Sequence, residues 1–196
     1  MRYKAMAMLA AATLALAACG GKTEDNTAAE DTGAYDNSGA MADLNAVDNT
    51  DLTAPVSGGQ GFANAAAAGD AFQIASSKLA LTASSSAAVK KFAQAMITAH
   101  TASTQMVKAA AAKASPAITP DPTLSAEQQA KIDALQGKTG AEFDSQYAAD
   151  QVAVHEATLD ALKTYAATGD VPELKAVATE LVPTVTAHLN MAKALK

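Results

Sequence analysis

Apolar positions begin to recur at helical spacing near Phe62 and continue to do so to the end of the chain. One stripe runs Val89, Phe92, Met96, His100, Ser103, Val107, in steps of 3, 4, 4, 3 and 4. A second runs Ala148, Val152, His155, Leu159, Leu162, Ala166, and a third Leu174, Val177, Leu181, Val185, His188, Ala192, Leu195. Steps of three and four trace one face of an α-helix, whereas a half-buried strand alternates every second residue; no window alternates convincingly. The pattern predicts four long helices: about 62–83, about 86–113, one of about 28 residues ended by Gly169, and one from Pro172 to about 195. Ser84–Ser86 breaks the first from the second and offers N-caps, because a serine hydroxyl can accept from the free N–H groups of a helix start. Pro116, Pro120 and Pro122 make 115–123 a loop. A short helix follows, with Ser125 as N-cap and Gly137 as terminator. Four amphipathic helices, with alanine permitting close interaxial approach, predict an all-α four-helix bundle with an extra short helix in its long second connection.

Before Phe62 the periodicity is lost. Residues 20–60 are rich in Gly, Asp, Asn, Ser and Thr, which predicts an acidic, disordered tether over 19–60, with one short helical turn near Met41–Ala46 and the bundle domain over 61–196. A flexible coil of that length spans roughly 35 Å on average. Residues 1–18 read as a signal peptide: Arg2 and Lys4 precede the apolar run "AMAMLAAATLALAA". The stretch "LAAC" (Leu16 to Cys19) resembles a bacterial lipobox, which implies cleavage before Cys19 and acylation of its sulfur. Two or more acyl chains make a stable anchor. Gly20, in place of an inner-membrane-retaining aspartate, directs the expectation to an outer-membrane lipoprotein facing the periplasm.

Composition changes the picture in two ways. Cys19 is the single cysteine, so the lipidated chain has no thiol left for disulfides or metal binding. Removing Arg2 and Lys4 from the 14 basic residues leaves 12 against 20 acidic ones, a mature net charge of −8. That balance, without a basic cluster, excludes nucleic acid as the expected partner.

Three stretches, "GDAFQIASSKLALTASSSAAVKKFAQAMITAHTASTQMV", "FDSQYAADQVAVHEATLDAL" and "LKAVATELVPTVTAHLNMA", resemble in order the signature blocks of the bacterial domain of unknown function 4142. The resemblance covers roughly 61–195. It implies a ferritin-like helical bundle of undefined activity, often found on exported or lipid-anchored proteins. Phe143, Asp144, Tyr147, Gln151 and His155 correspond to one block, and Val182, Pro183, Val185, His188 and Leu189 to another. The chain departs from the pattern at Ala99, where an acidic residue is usual, and at Gln73 and Ala75, where glutamates are frequent.

The candidate chemistry lies in three histidines, His100, His155 and His188, each on a core stripe. A ferritin-type di-iron centre needs inward glutamates and Glu-x-x-His pairs, and none of the three has an acidic residue three positions earlier. Glu156 adjoins His155 but points about 100° away. Two readings remain. In the first, the imidazoles are neutral and satisfied by hydrogen bonds, with Thr104, Gln151 and Thr184 as neighbours at suitable spacing, and with the Thr179 carbonyl freed by Pro183 as a further acceptor. No cofactor is then expected. In the second, the three converge on zinc or iron, which requires them to share one level of the bundle. Asp144 near a helix start and Tyr147 read as structural, with acid–base work by Asp144 as the alternative. Met96, Met106 and Met191 read as core filler rather than copper ligands. The leading expectation is a non-catalytic lipid-anchored protein acting in envelope maintenance or stress, through contacts with an envelope protein partner. The alternative is a metal-binding or oxidoreductase-like bundle using the three histidines.

Overall fold

The computed structural model describes residues 58–195. The signal segment, Cys19, the Met41–Ala46 turn and all of the tether before residue 58 lie outside the described residues. Five helices make up the rest: α1 Gly58–Ala83, α2 Ala87–Ala111, α3 Ala126–Gln136, α4 Gly140–Thr168 and α5 Pro172–Lys193. Helix starts follow the expected cap chemistry. Ser86 accepts from Val89 N at 3.3 Å. Ser125 and Gln128 form a reciprocal capping box, each side chain bonding the other's backbone N–H. Pro172 opens α5, where its missing N–H would have had no partner in any case.

α1 begins at Gly58, four residues before the expected start. The "GGQG" segment reads as linker by composition, yet here glycine serves close approach. A Cβ on Gly59 would stand 2.4 Å from Val171 Cγ2 and 2.9 Å from Ile118 Cδ1. The start of α1 thus lies against both the α4–α5 turn and the proline-rich loop. Gln60 Nε2 donates to the Thr119 carbonyl at 2.8 Å, and Asp121 N donates to Asn64 Oδ1 at 3.0 Å.

Short links make α1–α2 and α4–α5 two antiparallel hairpins. The hairpins pack side by side, α2 against α5 and α1 against α4. Phe62 near the start of α1 stacks on Tyr165 near the end of α4, with centroids 4.0 Å apart. At the opposite end Ser85 Oγ donates to Asp144 Oδ2 at 3.0 Å. α2 and α4 therefore run in the same direction, joined by one long crossover that carries α3. Such a connection is the topology of ferritin-like bundles. α3 covers the α1–α4 groove, where Phe72, Ile132 and Val154 form a small core of their own. That cover explains why α4 buries more than one stripe: Phe143, Tyr147, Asp150, Gln151 and Val154 are buried beside the predicted Val152, His155 and Leu159.

The stripes on α2 and α5 bury as expected, apart from the half-buried Ser103 and Leu195. Met96 is fully buried, but Met191 is 42% exposed, so it fills no core. It follows His188 by three residues, at the edge of the buried face. Pro183 is exposed on the outer side of α5, and the helix continues past it to Lys193. Among the described residues no helix is long and apolar enough to cross a membrane.

Candidate metal centre

Midway along the bundle His100 of α2, His155 of α4 and His188 of α5 meet. Their ring centroids lie 5.6–5.9 Å apart in all three pairings. One nitrogen from each lies within 4.8 Å of the other two. All three residues are buried, at 6%, 1% and 7% exposure. The shared level that sequence could not supply is present.

Hydrogen bonds fix which nitrogen His100 and His155 turn inward. His100 Nδ1 lies 2.7 Å from Asp70 Oδ1. A carboxylate only accepts, so Nδ1 carries the hydrogen and the lone pair of the neutral ring sits on Nε2. Asp70 is held in turn by Thr104 Oγ1, 3.1 Å from Oδ2 and 2.9 Å from the His100 carbonyl. His155 Nδ1 donates to the Gln151 carbonyl at 2.7 Å, again leaving Nε2 as acceptor. Gln73 Nε2 stands 3.4 Å from the same Nδ1, too long to compete. His100 Nε2, His155 Nε2 and His188 Nδ1 are buried and have no hydrogen-bond partner among the described residues. Burial and the neighbouring rings push His155 down to about 4. Burial and His100 push His188 down to about 4 as well. Both are neutral imidazoles near pH 7, the form that binds metals.

The expected hydrogen-bond partners are thus displaced. Thr104 serves Asp70 and a backbone carbonyl rather than the ring. Gln151 acts through its main chain. Thr184 is exposed, and the Thr179 carbonyl freed by Pro183 takes no imidazole proton; the Gln151 carbonyl does. Asp70 was absent from the expected set, although its signal is in the sequence. Ala63, Ala67, Asp70, Gln73, Ser77 and Ala80 step by 4, 3, 3, 4 and 3, which puts a carboxylate on the buried face of α1.

Asp144 and Tyr147 do not join the cluster. Eleven residues separate Asp144 from His155, about 16 Å along a helix. Asp144 instead lines a pocket of about 520 Å³ with Ser145, Ala148, Ala149 and Leu195 at the end of the bundle. Tyr147 is buried, its hydroxyl 2.8 Å from Ser77 Oγ and its ring edge-on to Phe92 at 6.1 Å. Burial raises its hydroxyl well above the usual phenol range, so it stays protonated.

The donor set fits one ion. Three nitrogens around a tetrahedral zinc stand roughly 3.3 Å apart at bond lengths of about 2.0–2.1 Å. From a separation of up to 4.8 Å, each ring needs to close inward by under about 1 Å. Asp70 behind His100 is the carboxylate–histidine arrangement that orients metal-binding imidazoles. Among the described residues no carboxylate reaches the point where the three nitrogens converge, so the di-iron type of site is not formed.

The family model for Domain of unknown function (DUF4142) matches residues 45–195. The chain belongs to this family. Comparison with curated proteins found no match, and comparison with solved structures found none. The DUF4142 match spans all five helices and every residue of the cluster.

Proposed function

We propose that this chain is a lipid-anchored periplasmic protein of the outer membrane whose bundle binds one transition-metal ion through His100, His155 and His188. The observation that carries the metal reading is that one ring nitrogen from each of three buried histidines lies within 4.8 Å of the others, while His100 Nε2, His155 Nε2 and His188 Nδ1 are buried without a hydrogen-bond partner among the described residues. Left without partners in a buried site, they cost roughly 1–3 kcal/mol each. One cation satisfies all three. The hydrogen-bonded reading of the histidines accounts for the outward nitrogens of His100 and His155 but not for the inward ones. Imidazole ligands in tetrahedral array suit zinc first, with copper and nickel close in affinity. The lipobox resemblance at Leu16–Cys19 supports the anchor and the compartment, and binding metal there serves an envelope maintenance or stress role. Elemental analysis of the purified chain tests the metal reading. It is expected to show about one zinc-type ion per chain and a melting temperature lowered by chelator. A chain that takes up no zinc, copper or cobalt and melts identically with and without them is not a metal protein. Labelled palmitate incorporated by the chain but not by Cys19→Ala tests the anchor.

A further inference from the structure

The metal reading leaves one coordination position to account for, and the charges around the cluster say what fills it. Among the described residues His100, His155 and His188 are the whole group of His, Cys, Asp and Glu donors at this point. The single cysteine, Cys19, is expected to be acylated. Among the described residues Asp70 is the one carboxylate bonded to any of the three rings, and both its oxygens are engaged, Oδ1 by His100 and Oδ2 by Thr104. It contributes one negative charge behind a ligand and does not ligate. A divalent ion held by three neutral imidazoles beside Asp70 carries a net charge of +1. The three histidine residues around it are at most 7% exposed, and uncompensated charge in such surroundings is strongly disfavoured. A neutral water as fourth ligand leaves that charge standing, and a monovalent anion cancels it.

Resting on the metal reading, we infer that the fourth position is open and takes a small exogenous anion, with Asp70 setting the charge balance so that one monoanion suffices. Hydroxide and halide belong to this class, as do linear anions such as azide. The burial of all three rings excludes a bulky ligand.

Cobalt(II) reports both steps, because its visible bands respond to coordination number and ligand identity. The full chain loaded with Co²⁺ is titrated with sodium azide at constant ionic strength. A saturable change in the visible bands is expected. Asp70→Asn keeps the shape, since the amide oxygen still accepts from His100 Nδ1 and the amide nitrogen can donate to Thr104 Oγ1. With the negative charge removed, azide is expected to bind roughly tenfold or more tightly to the Co²⁺-loaded variant, from Coulomb's law at separations of this size. Cobalt bands that do not respond to azide or cyanide overturn the open position and leave the metal reading intact. Equal azide affinity in the parent chain and Asp70→Asn overturns the role of Asp70. A chain that develops no cobalt bands overturns the metal reading itself. If Asp70→Asn fails to fold, the titration of the parent chain still decides whether the position is open.

Discussion

At the scale of single residues the centre depends on where protons sit. Asp70 holds the hydrogen of His100 on Nδ1, and the Gln151 carbonyl does the same for His155, so both rings turn a lone pair inward. Removing such a carboxylate typically lowers metal affinity about 10–100-fold. Asp70→Asn is therefore expected to bind zinc about 10–100-fold more weakly while its circular dichroism matches the parent chain; competition with a chromophoric chelator reads the difference. The same burial sets the pH dependence of the protein stripped of metal. His155 titrates at about 4 when folded against 6.5 when unfolded, so between these values the unfolded chain holds the extra proton. Its contribution is complete above about pH 6.5 and is lost as pH falls towards 4. His155 alone is expected to cost roughly 2 kcal/mol by pH 5. Urea unfolding of the stripped protein at pH 7.5 and pH 5.0 measures this, and equal stabilities contradict the burial. The histidine stripes themselves were legible in the sequence, since His100, His155 and His188 all fall at core spacing. Gln151 was legible as the neighbour of His155, although it serves through its carbonyl. Asp70 was not legible as the partner of His100, because local spacing names neighbours on one helix and Asp70 comes from another.

At the scale of elements, chain punctuation was legible wherever it acts locally. Ser86, the Ser125–Gln128 box and Pro172 sit at the helix starts their chemistry dictates. Glycine was misleading at the start of α1, because composition cannot distinguish a flexible linker from a helix turn pressed against Val171 and Ile118. Two substitutions separate these meanings. Gly59→Ala forces a methyl group to within 2.4 Å of Val171 Cγ2 and is expected to destabilise by about 1–3 kcal/mol. Gly69→Ala, mid-helix with nothing within 4 Å of the new carbon, is expected to stabilise by about 0.5–1 kcal/mol. Denaturant midpoints of the two variants should move in opposite directions.

At the scale of the whole molecule, the centre joins the two hairpins. α2 belongs to one and α4 and α5 to the other, so an ion on His100, His155 and His188 closes the seam between α2 and α5. Metal is expected to slow amide exchange around His100 in α2 and around His188 in the last turns of α5 together, with less effect on the helix starts near Ser86 and Val171. Hydrogen exchange with and without zinc checks this, and protection confined to one hairpin argues against bridging. The aromatic contacts between helices, Phe62 of α1 on Tyr165 of α4 and Phe92 of α2 against Tyr147 of α4, hold the bundle without the ion. The domain is accordingly expected to remain helical when stripped.

The sequence by itself determined the number and kind of helices, their caps, the short helix within the crossover, and the fact that each histidine faces inward. These follow from spacing and from side-chain chemistry acting over one or two turns. Tertiary structure alone decided that the three histidines share a level, that Asp70 stands behind His100, and that Asp144 and Tyr147 lie elsewhere. Axial register between helices far apart in sequence depends on packing against the neighbouring helix. Here it was set by close contacts such as Gly59 against Val171, Phe62 on Tyr165 and Ser85 at Asp144, which no single stripe encodes.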